Sequence, residues 1–321
     1  MEGVTEPCFR DLVLERNRPE VLGGAFTEFA RVVQGPIPQR ILAKHLGPWR
    51  HAAPVGLQLM GSVVAAVAES ARRAEELGAP LVDLNFGCPA KGAIRGCAGS
   101  ALLDEPHKVE ALVAACVRAV TRVPVTAKIR AGGEDDSRLE EIARAVEQGG
   151  AALLTVHCRT RKEAYRDTAD WERLRRAVRV VSIPVCGNGG VSSHADLARL
   201  RAETGCTYAM VGRAALGDPW IFEGRKVERR EAARFLLDYV EALAHFHGAG
   251  PRMAAGRVKQ LVRHWTAGGL FAQERGATLA LDDAELLVRV AAEAGEPGWR
   301  LPVASGSPAA ELRAGPSLAC F

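Results

Sequence analysis

Short runs of Val, Ile and Leu alternate with longer amphipathic stretches through the first two thirds of the chain. Short apolar runs bounded by Gly or Pro are typical of buried strands, and apolar residues every three or four positions are typical of helices. The runs predict seven strands, at 21–26, 54–60, 80–86, 123–130, 152–158, 181–187 and 208–213. The stretches predict helices at 6–17, 63–77, 106–120, 137–148, 170–178, 193–204 and 219–223.

Strict alternation of strands and helices indicates βα units around a parallel sheet. Eight such units close a (β/α)8 barrel. The helix at 6–17 needs a strand in front of it, and that strand would lie before Met1. We therefore predict an α/β fold, a TIM barrel over residues 1–225, whose first strand is missing or truncated.

The pattern changes to helices alone from about Arg229, with helices predicted at 229–247, 252–267 and 282–294. These helices predict a small all-helical domain over 226–295. Between residues 221 and 275 there are ten Lys and Arg against six Asp and Glu. Such an excess is either a solvated helix surface or a patch that faces phosphates. Residues 296–321 are mostly Pro, Gly, Ser and Ala, which predicts a disordered tail.

The segment 82–91 carries the most informative chemistry. Asp83 and Asn85 are two positions apart and point to the same side of a strand. Gly87 and Pro89 then place Cys88 in a tight turn at the carboxyl end of that strand, where α/β enzymes keep their catalytic groups. A free cysteine is usually a small buried hydrophobe, but this context favours a reactive thiol.

Further polar residues follow the other predicted strands and would line one rim of a barrel. They are Gln58, Lys128 with Arg130, His157 with Arg159, Asn188 with Gly189 and Gly190, and Gly212 with Arg213. Glycines after the last two strands let backbone N–H groups approach a phosphate. A lysine inside a barrel either meets an anion or extends its ammonium to solvent, and a lone histidine is either a cofactor contact or a hydrogen-bonded core residue.

Composition excludes several classes of protein. Eight cysteines are spread along the chain without a Cys-x-x-Cys pair or a His/Cys cluster, which argues against a zinc site, an iron–sulfur cluster and a disulfide framework. We expect a reduced, cytoplasmic compartment. No apolar run reaches the roughly 18 residues of a membrane span. The formal net charge of +4 permits an anionic partner.

With these residues placed, the chain resembles the tRNA-dihydrouridine synthases. The matching segments include Gly56-Leu-Gln-Leu-Met, Asp83-Leu-Asn-Phe-Gly-Cys-Pro-Ala-Lys, Lys128-Ile-Arg, Val156-His-Cys-Arg-Thr, Gly187-Asn-Gly-Gly-Val and Val211-Gly-Arg. They extend over roughly residues 1–225. The segments from Thr27 and from Arg257 resemble most the C-type subfamily, which acts on uridine 16 of tRNA.

The resemblance implies an FMN enzyme that uses NADPH to reduce a tRNA uridine to 5,6-dihydrouridine, and we expect a monomer. It implies that flavin N5 passes hydride to uracil C6 and that Cys88 gives a proton to C5. It places Met1, Gln58, Lys128, His157, Asn188, Gly189, Gly190, Gly212 and Arg213 at the cofactor. It places Asn85, Lys91, Arg159, Tyr165, Arg257 and Lys259 at the substrate.

Two other functions agree with the same rim residues. An FMN barrel acting on a free pyrimidine would have no need of the helical domain, so deletion of 229–321 would spare its activity. An RNA-binding relic that lost its flavin would be colourless and could not be reconstituted.

Overall fold

The computed structural model describes residues 3–48, 51–163 and 169–302. The chain divides into two compact units. The sheet unit consists of residues 24–46 and 54–212, and the helical unit consists of the described residues among 3–23, 47–53 and 213–302. No helix among the described residues combines the length and the apolar character needed to cross a membrane.

The described residues of the sheet unit form eight strands, which are all parallel. They are β1 (Ala25–Phe26), β2 (Ala30–Arg31), β3 (Val55–Met60), β4 (Val82–Phe86), β5 (Val125–Arg130), β6 (Leu153–His157), β7 (Val185–Asn188) and β8 (Tyr208–Met210). Strands β3 to β8 pair in chain order, and β1 and β2 both pair with β3. Within the described residues no ladder joins β8 to β1. The sheet is therefore a barrel-type sheet that stays open at one position, as predicted.

The helices, numbered along the chain, cover both units. They are α1 (Pro7–Glu15), α2 (Gln39–Leu46), α3 (Val64–Glu76), α4 (Lys91–Arg95), α5 (Pro106–Ala119), α6 (Leu139–Gln148), α7 (Glu172–Val180), α8 (His194–Thr204), α9 (Arg213–Gly217), α10 (Arg229–His247), α11 (Pro251–Val262), α12 (Arg275–Ala280) and α13 (Asp283–Glu293). Two 3-10 helices, Gly99–Asp104 and Ala267–Gly269, complete the set.

Most predicted elements are confirmed, whereas the helices α2, α4 and α12 are not among the predictions. The seven predicted strands are present, whereas β2 escaped prediction because a two-residue strand has no periodicity. The helix predicted at 219–223 is wrong. Asp218 Oδ1 accepts the backbone N–H of Trp220 at 3.0 Å, which forms a turn there, and the helix lies earlier, at Arg213–Gly217.

The two faces of the sheet differ in polarity. On one face, every second residue along each strand is apolar and fully buried, among them Leu57, Leu84, Ile129 and Val156. They pack against the outer helices, and each buried side chain of this size contributes roughly 1.5–3 kcal/mol. The alternate residues, on the other face, are mostly polar, so the apolar face provides the stability of the sheet unit.

The helical unit is built around α10. This helix packs against α1, α11 and α13. Phe235 lies at the centre of an aromatic cluster, with its ring centroid 5.9 Å from that of Phe9, 5.4 Å from Trp220 and 5.8 Å from Trp265. Thus α1, which the sequence analysis assigned to the barrel domain 1–225, packs with the C-terminal helices.

Many basic residues of the helical unit are paired with acidic ones. The ion pairs include Arg225–Glu231, Arg229–Glu293, Arg234–Asp238, Arg257–Glu6, Lys259–Asp283 and Arg289–Glu274. Pairs of this kind contribute about 0–1 kcal/mol each to stability. Within the predicted tail 296–321, Trp299 donates to Glu241 at 2.8 Å, and residues 303–321 lie outside the described residues.

Gly217, at the end of α9, should not tolerate a side chain. A Cβ there would lie 2.1 Å from the backbone oxygen of His264. We expect Gly217→Ala to lower the free energy of unfolding by about 2 kcal/mol or more, measured by urea denaturation. Gly256→Ala in α11 is the control, because no atom lies within 4 Å of its Cβ position. It should be neutral or stabilising by up to about 1 kcal/mol, and equal losses in both variants would contradict this packing.

Candidate active site

Alternate residues of β3 to β7 form one face of the sheet, which we name the polar face. Its side chains alternate with the apolar ones and belong to Gln58, Asp83, Asn85, Thr126, Lys128, Arg130, Thr155, His157, Cys186 and Asn188. Their strands are in register, so that Gln58 lies beside Asp83, Asn85 beside Lys128, and His157 beside Asn188. Branched apolar residues usually fill a barrel interior, so this face is arranged for binding or chemistry.

Hydrogen bonds join part of this face into a continuous chain. Asp83 Oδ1 accepts from Thr126 Oγ1 at 2.6 Å and its Oδ2 accepts from Gln58 Nε2 at 2.7 Å. Gln58 Oε1 accepts from Asn85 Nδ2 at 2.7 Å. Asn85 Oδ1 accepts the backbone N–H groups of Gly87 at 2.9 Å and Cys88 at 3.0 Å. We call the hydrogen bonds that run from Asp83 through the side-chain amides of Gln58 and Asn85 to the backbone of the Cys88 turn the amide chain.

Two opposite charges lie close together on the polar face. Burial raises the pKa of Asp83 to about 6, although its hydrogen bonds and the charge of Lys128 oppose the rise. Burial also lowers the pKa of Lys128 to about 8, with the charge of Asp83 acting in the opposite direction. Lys128 Nζ donates to Asn188 Oδ1 at 3.2 Å, and Asn188 Nδ2 donates to the backbone oxygen of Met210 at 2.9 Å. The charged lysine is therefore under-solvated and would gain from an anion.

The turn that carries Cys88 is held by side chains from three elements. Asn85 binds its N–H groups, Arg130 Nε donates to the oxygen of Gly87 at 2.7 Å, and Ser100 Oγ donates to the oxygen of Cys88 at 2.9 Å. The Cys88 side chain packs against a small cluster that includes Met60. The turn is thus rigidly placed at the end of β4.

Cys88 is one of two described cysteines that are not buried. It is half-buried and Cys97 is exposed, whereas the remaining described cysteines are buried. Burial raises the pKa of the Cys8 and Cys116 thiols to about 12, which makes them inert. The expectation of a buried structural thiol therefore fits those residues and does not fit Cys88.

The loop after β7 forms a compact cradle. Gly189 and Gly190 have φ of +112° and +78°, a conformation that favours glycine. A Cβ on Gly189 would lie 2.6 Å from Cys158 Sγ, 3.6 Å from Arg159 Nη1 and 3.7 Å from His157 Cε1, so the backbone approaches these groups closely. Glycine N–H groups, a guanidinium and an imidazole together make a donor set suited to a phosphate.

His157 has a defined orientation. Its Nδ1 accepts the backbone N–H of Arg159 at 3.2 Å. Because an accepting Nδ1 carries no proton, the donor nitrogen of His157 is Nε2.

The other predicted site residues have varied positions. Lys91 is exposed at the first residue of α4, and Arg159 is buried beside Gly189. Gly212 follows β8, while Arg213 begins α9 in the helical unit and is exposed. Met1 and Tyr165 lie outside the described residues.

Arg257 and Lys259, both on α11, already have partners. Arg257 pairs with Glu6 and donates to the oxygen of Gly3 at 3.2 Å. Lys259 donates to the oxygen of Leu281 at 2.7 Å and pairs with Asp283.

Sequence reasoning missed two residues that hold the site together. Ser100 lies twelve residues later, in the 3-10 helix Gly99–Asp104, and donates to the Cys88 carbonyl; nothing in its local pattern indicates this contact. The spacing of Asp83 from Asn85 predicts the face of the strand on which it lies but assigns it no role. The sequence does indicate a role, because a carboxylate inside an otherwise apolar strand needs hydrogen-bond partners.

Comparisons with known proteins agree with this geometry. The sequence pattern of the family described as dihydrouridine synthase matches residues 1–264. A tRNA-dihydrouridine(16) synthase of Haemophilus influenzae is 39% identical over 277 residues, which cover 82% of this chain and 88% of the relative. One of Pseudomonas syringae pv. tomato is 38% identical over 229 residues, covering 68% and 70%. The solved structure of histamine dehydrogenase from Rhizobium sp. 4-9 covers 93% of this chain and 61% of its own, with a TM-score of 0.54 and 13% identity, and shows a shared fold.

Lys128 should make the cofactor-free protein less stable. Its pKa is about 8 when folded against an ordinary 10.5, so the penalty for its charge is complete below pH 8 and fades as the pH rises towards 10.5. We expect Lys128→Met to raise the free energy of unfolding by on the order of 1 kcal/mol at pH 7, measured by urea denaturation. The gain should shrink at pH 9.5. A destabilised variant at pH 7 would show that Lys128 is a structural residue.

Proposed function

The chain belongs to the dihydrouridine synthase family, and on this basis we propose that it reduces a uridine of tRNA to 5,6-dihydrouridine. We propose uridine 16 as the target, because relatives that are 38% and 39% identical to this chain are named for that position. The observation that carries the proposal is the half-buried thiol of Cys88, held in a rigid turn next to a polar face. A free pyrimidine as substrate is disfavoured, because the family match extends through α11 of the helical unit.

The donor set of the polar face fits FMN. The cradle of Gly189 and Gly190 with Arg159 and His157 suits its phosphate, and the under-solvated Lys128 suits an anionic ring. Arg159, which the resemblance placed at the substrate, therefore fits a cofactor contact better. Bound FMN, reduced by NADPH, would supply a hydride for C6 of the uracil.

The protein side chains then have separate tasks. Gln58 donates an N–H towards the bound ring, while its oxygen is occupied by Asn85. Lys128 binds the anion, and that contact returns its pKa towards the ordinary value. Asn85 donates to a carbonyl of the pyrimidine.

Cys88 completes the addition across the C5=C6 bond. The thiol gives its proton to C5 as a general acid, and the thiolate left behind takes a proton from solvent, which reaches this half-buried side chain. A uridine in folded tRNA is stacked, so it must be extruded to reach this turn. Lys91 is exposed on the helix that follows the turn and is proposed to contact the RNA.

Replacement of Cys88 tests the proposal. Cys88→Ala should retain FMN absorbance and NADPH-dependent flavin reduction, because the thiol is not part of the phosphate cradle. Dihydrouridine formation on unmodified tRNA, mapped by mass spectrometry of nuclease digests, should fall by about 100-fold or more. Cys97→Ala, which removes the exposed thiol nearby, should keep the rate within about twofold. Normal turnover by Cys88→Ala would exclude the thiol from the reaction.

The start of α11 is proposed to bind tRNA phosphates. An open concavity of about 620 Å³ is lined there by Arg252, Arg257 and Gln260. Double replacement of Arg257 and Lys259 by Ala should weaken tRNA binding and reduce the slope of log affinity against log salt by about 1–2.

The matched control is the double variant Arg72→Ala with Lys108→Ala. It also removes two cations that are paired with carboxylates, here on α3 and α5 of the sheet unit. Its salt slope should equal that of the unmodified protein. An unchanged slope for the Arg257 and Lys259 variant would place the RNA contact elsewhere.

A further inference from the structure

The amide chain has a direction that is fixed at its Cys88 end. The backbone N–H groups of Gly87 and Cys88 can only donate, so the atom of Asn85 that meets both of them must be its oxygen. The Asn85 nitrogen therefore faces Gln58, and the Gln58 atom that accepts from it must be the side-chain oxygen. This leaves the nitrogen of Gln58 facing Asp83.

Asp83 supplies the acceptor that this direction requires. Its side chain is fully buried, and its two oxygens accept from Gln58 and Thr126. Without it, the buried nitrogen of Gln58 would lose its acceptor, and the side chain could rotate so that its oxygen and nitrogen exchange places. A rotated Gln58 would turn a donor towards Asn85, which would then lose its own acceptor.

We propose that Asp83 is a positioning residue for the reaction. It sets which atoms Gln58 and Asn85 present to a bound heterocycle, and it holds the Cys88 turn through them. This inference rests on the proposed function for its consequence in tRNA reduction, but the placement of the turn can be measured without any reaction.

The direction of the amide chain also decides what Asn85 presents to a bound base. The hydrogen bond to Gln58 uses one of the two protons on the Asn85 nitrogen, so the second proton can be donated to a ligand. The Asn85 oxygen already accepts from two backbone groups. An amide that can only donate needs an acceptor on its ligand, and the carbonyl oxygens of uracil are such acceptors.

The rate at which iodoacetamide alkylates Cys88 in the cofactor-free protein tests the placement of the turn. Trypsin separates the thiols, because Cys88 lies in the peptide 74–91 and Cys97 in the peptide 96–108. Cys97 serves as an internal standard in each sample. We compare Asp83→Asn, whose side-chain oxygen can still accept from Gln58 while its nitrogen donates to Thr126, with Asp83→Leu, which can do neither.

We expect Asp83→Leu to increase the alkylation of Cys88 relative to Cys97 by about fivefold, which corresponds to the loss of one buried hydrogen bond. Asp83→Asn should stay within about twofold of the unmodified protein. Gln58→Leu should match Asp83→Leu, and the double variant should show no further increase, because both changes interrupt the same chain.

Thr126→Val is the control for general loosening of the sheet. It removes the other hydrogen bond of Asp83 and leaves the amide chain intact, so the Cys88 rate should not change. An equal acceleration in Thr126→Val, an unchanged rate in Asp83→Leu, or an additive double variant would overturn the proposal. If Asp83→Leu does not fold, a normal rate in Asp83→Asn with a raised rate in Gln58→Leu supports it, and any other combination overturns it.

Turnover gives a second readout. With FMN, NADPH and unmodified tRNA, Asp83→Asn should keep at least about half of the rate and Asp83→Leu should lose about tenfold, so that the conservative variant rescues function. If the unmodified protein does not reduce tRNA, the proposed function is wrong, while the alkylation rates still decide the role of Asp83.

Discussion

The carboxylate of Asp83 is fully buried in the middle of a parallel sheet, and the surrounding hydrogen bonds make that burial possible. A carboxylate removed from water is costly unless donors surround it. Here a hydroxyl and an amide supply the donors, and the charge of Lys128 adds an attraction. The same burial raises the pKa of Asp83 and lowers that of Lys128, which leaves two groups titrating near neutral pH on one face. Perturbed groups of this kind mark functional sites more often than structural ones.

Strand geometry lets one sheet serve two purposes. Successive side chains point to opposite faces, so Leu84 enters the apolar core while Asp83 and Asn85 enter the polar face. The apolar face provides the free energy that allows the polar face to be less stable than a packed barrel interior. The chemistry of the protein is therefore confined to alternate residues of a few strands and to the turns that follow them.

The helical unit is stabilised in a different way. Its centre is an aromatic cluster around Phe235, and its surface carries ion pairs that use many of its basic side chains. A basic composition alone therefore overstates the positive charge that this unit offers to RNA. Arg257 and Lys259 could be found from their sequence segment, but their contacts with Gly3, Glu6, Leu281 and Asp283 could not.

The sequence by itself determined the strands other than β2, the polar residues along them and the turn at Cys88. These features depend on alternation and on Gly and Pro positions, which act over a few residues. Only the tertiary structure decided which side chains meet. Asn85 and Gln58 are 27 residues apart, Thr126 and Asp83 are 43 apart, and Lys128 and Asn188 are 60 apart. Such pairs follow from the register between strands, and the packing of α1 with the C-terminal helices follows from shape. Neither the register nor the packing can be predicted from a local segment of the sequence, because both are set by the whole core at once.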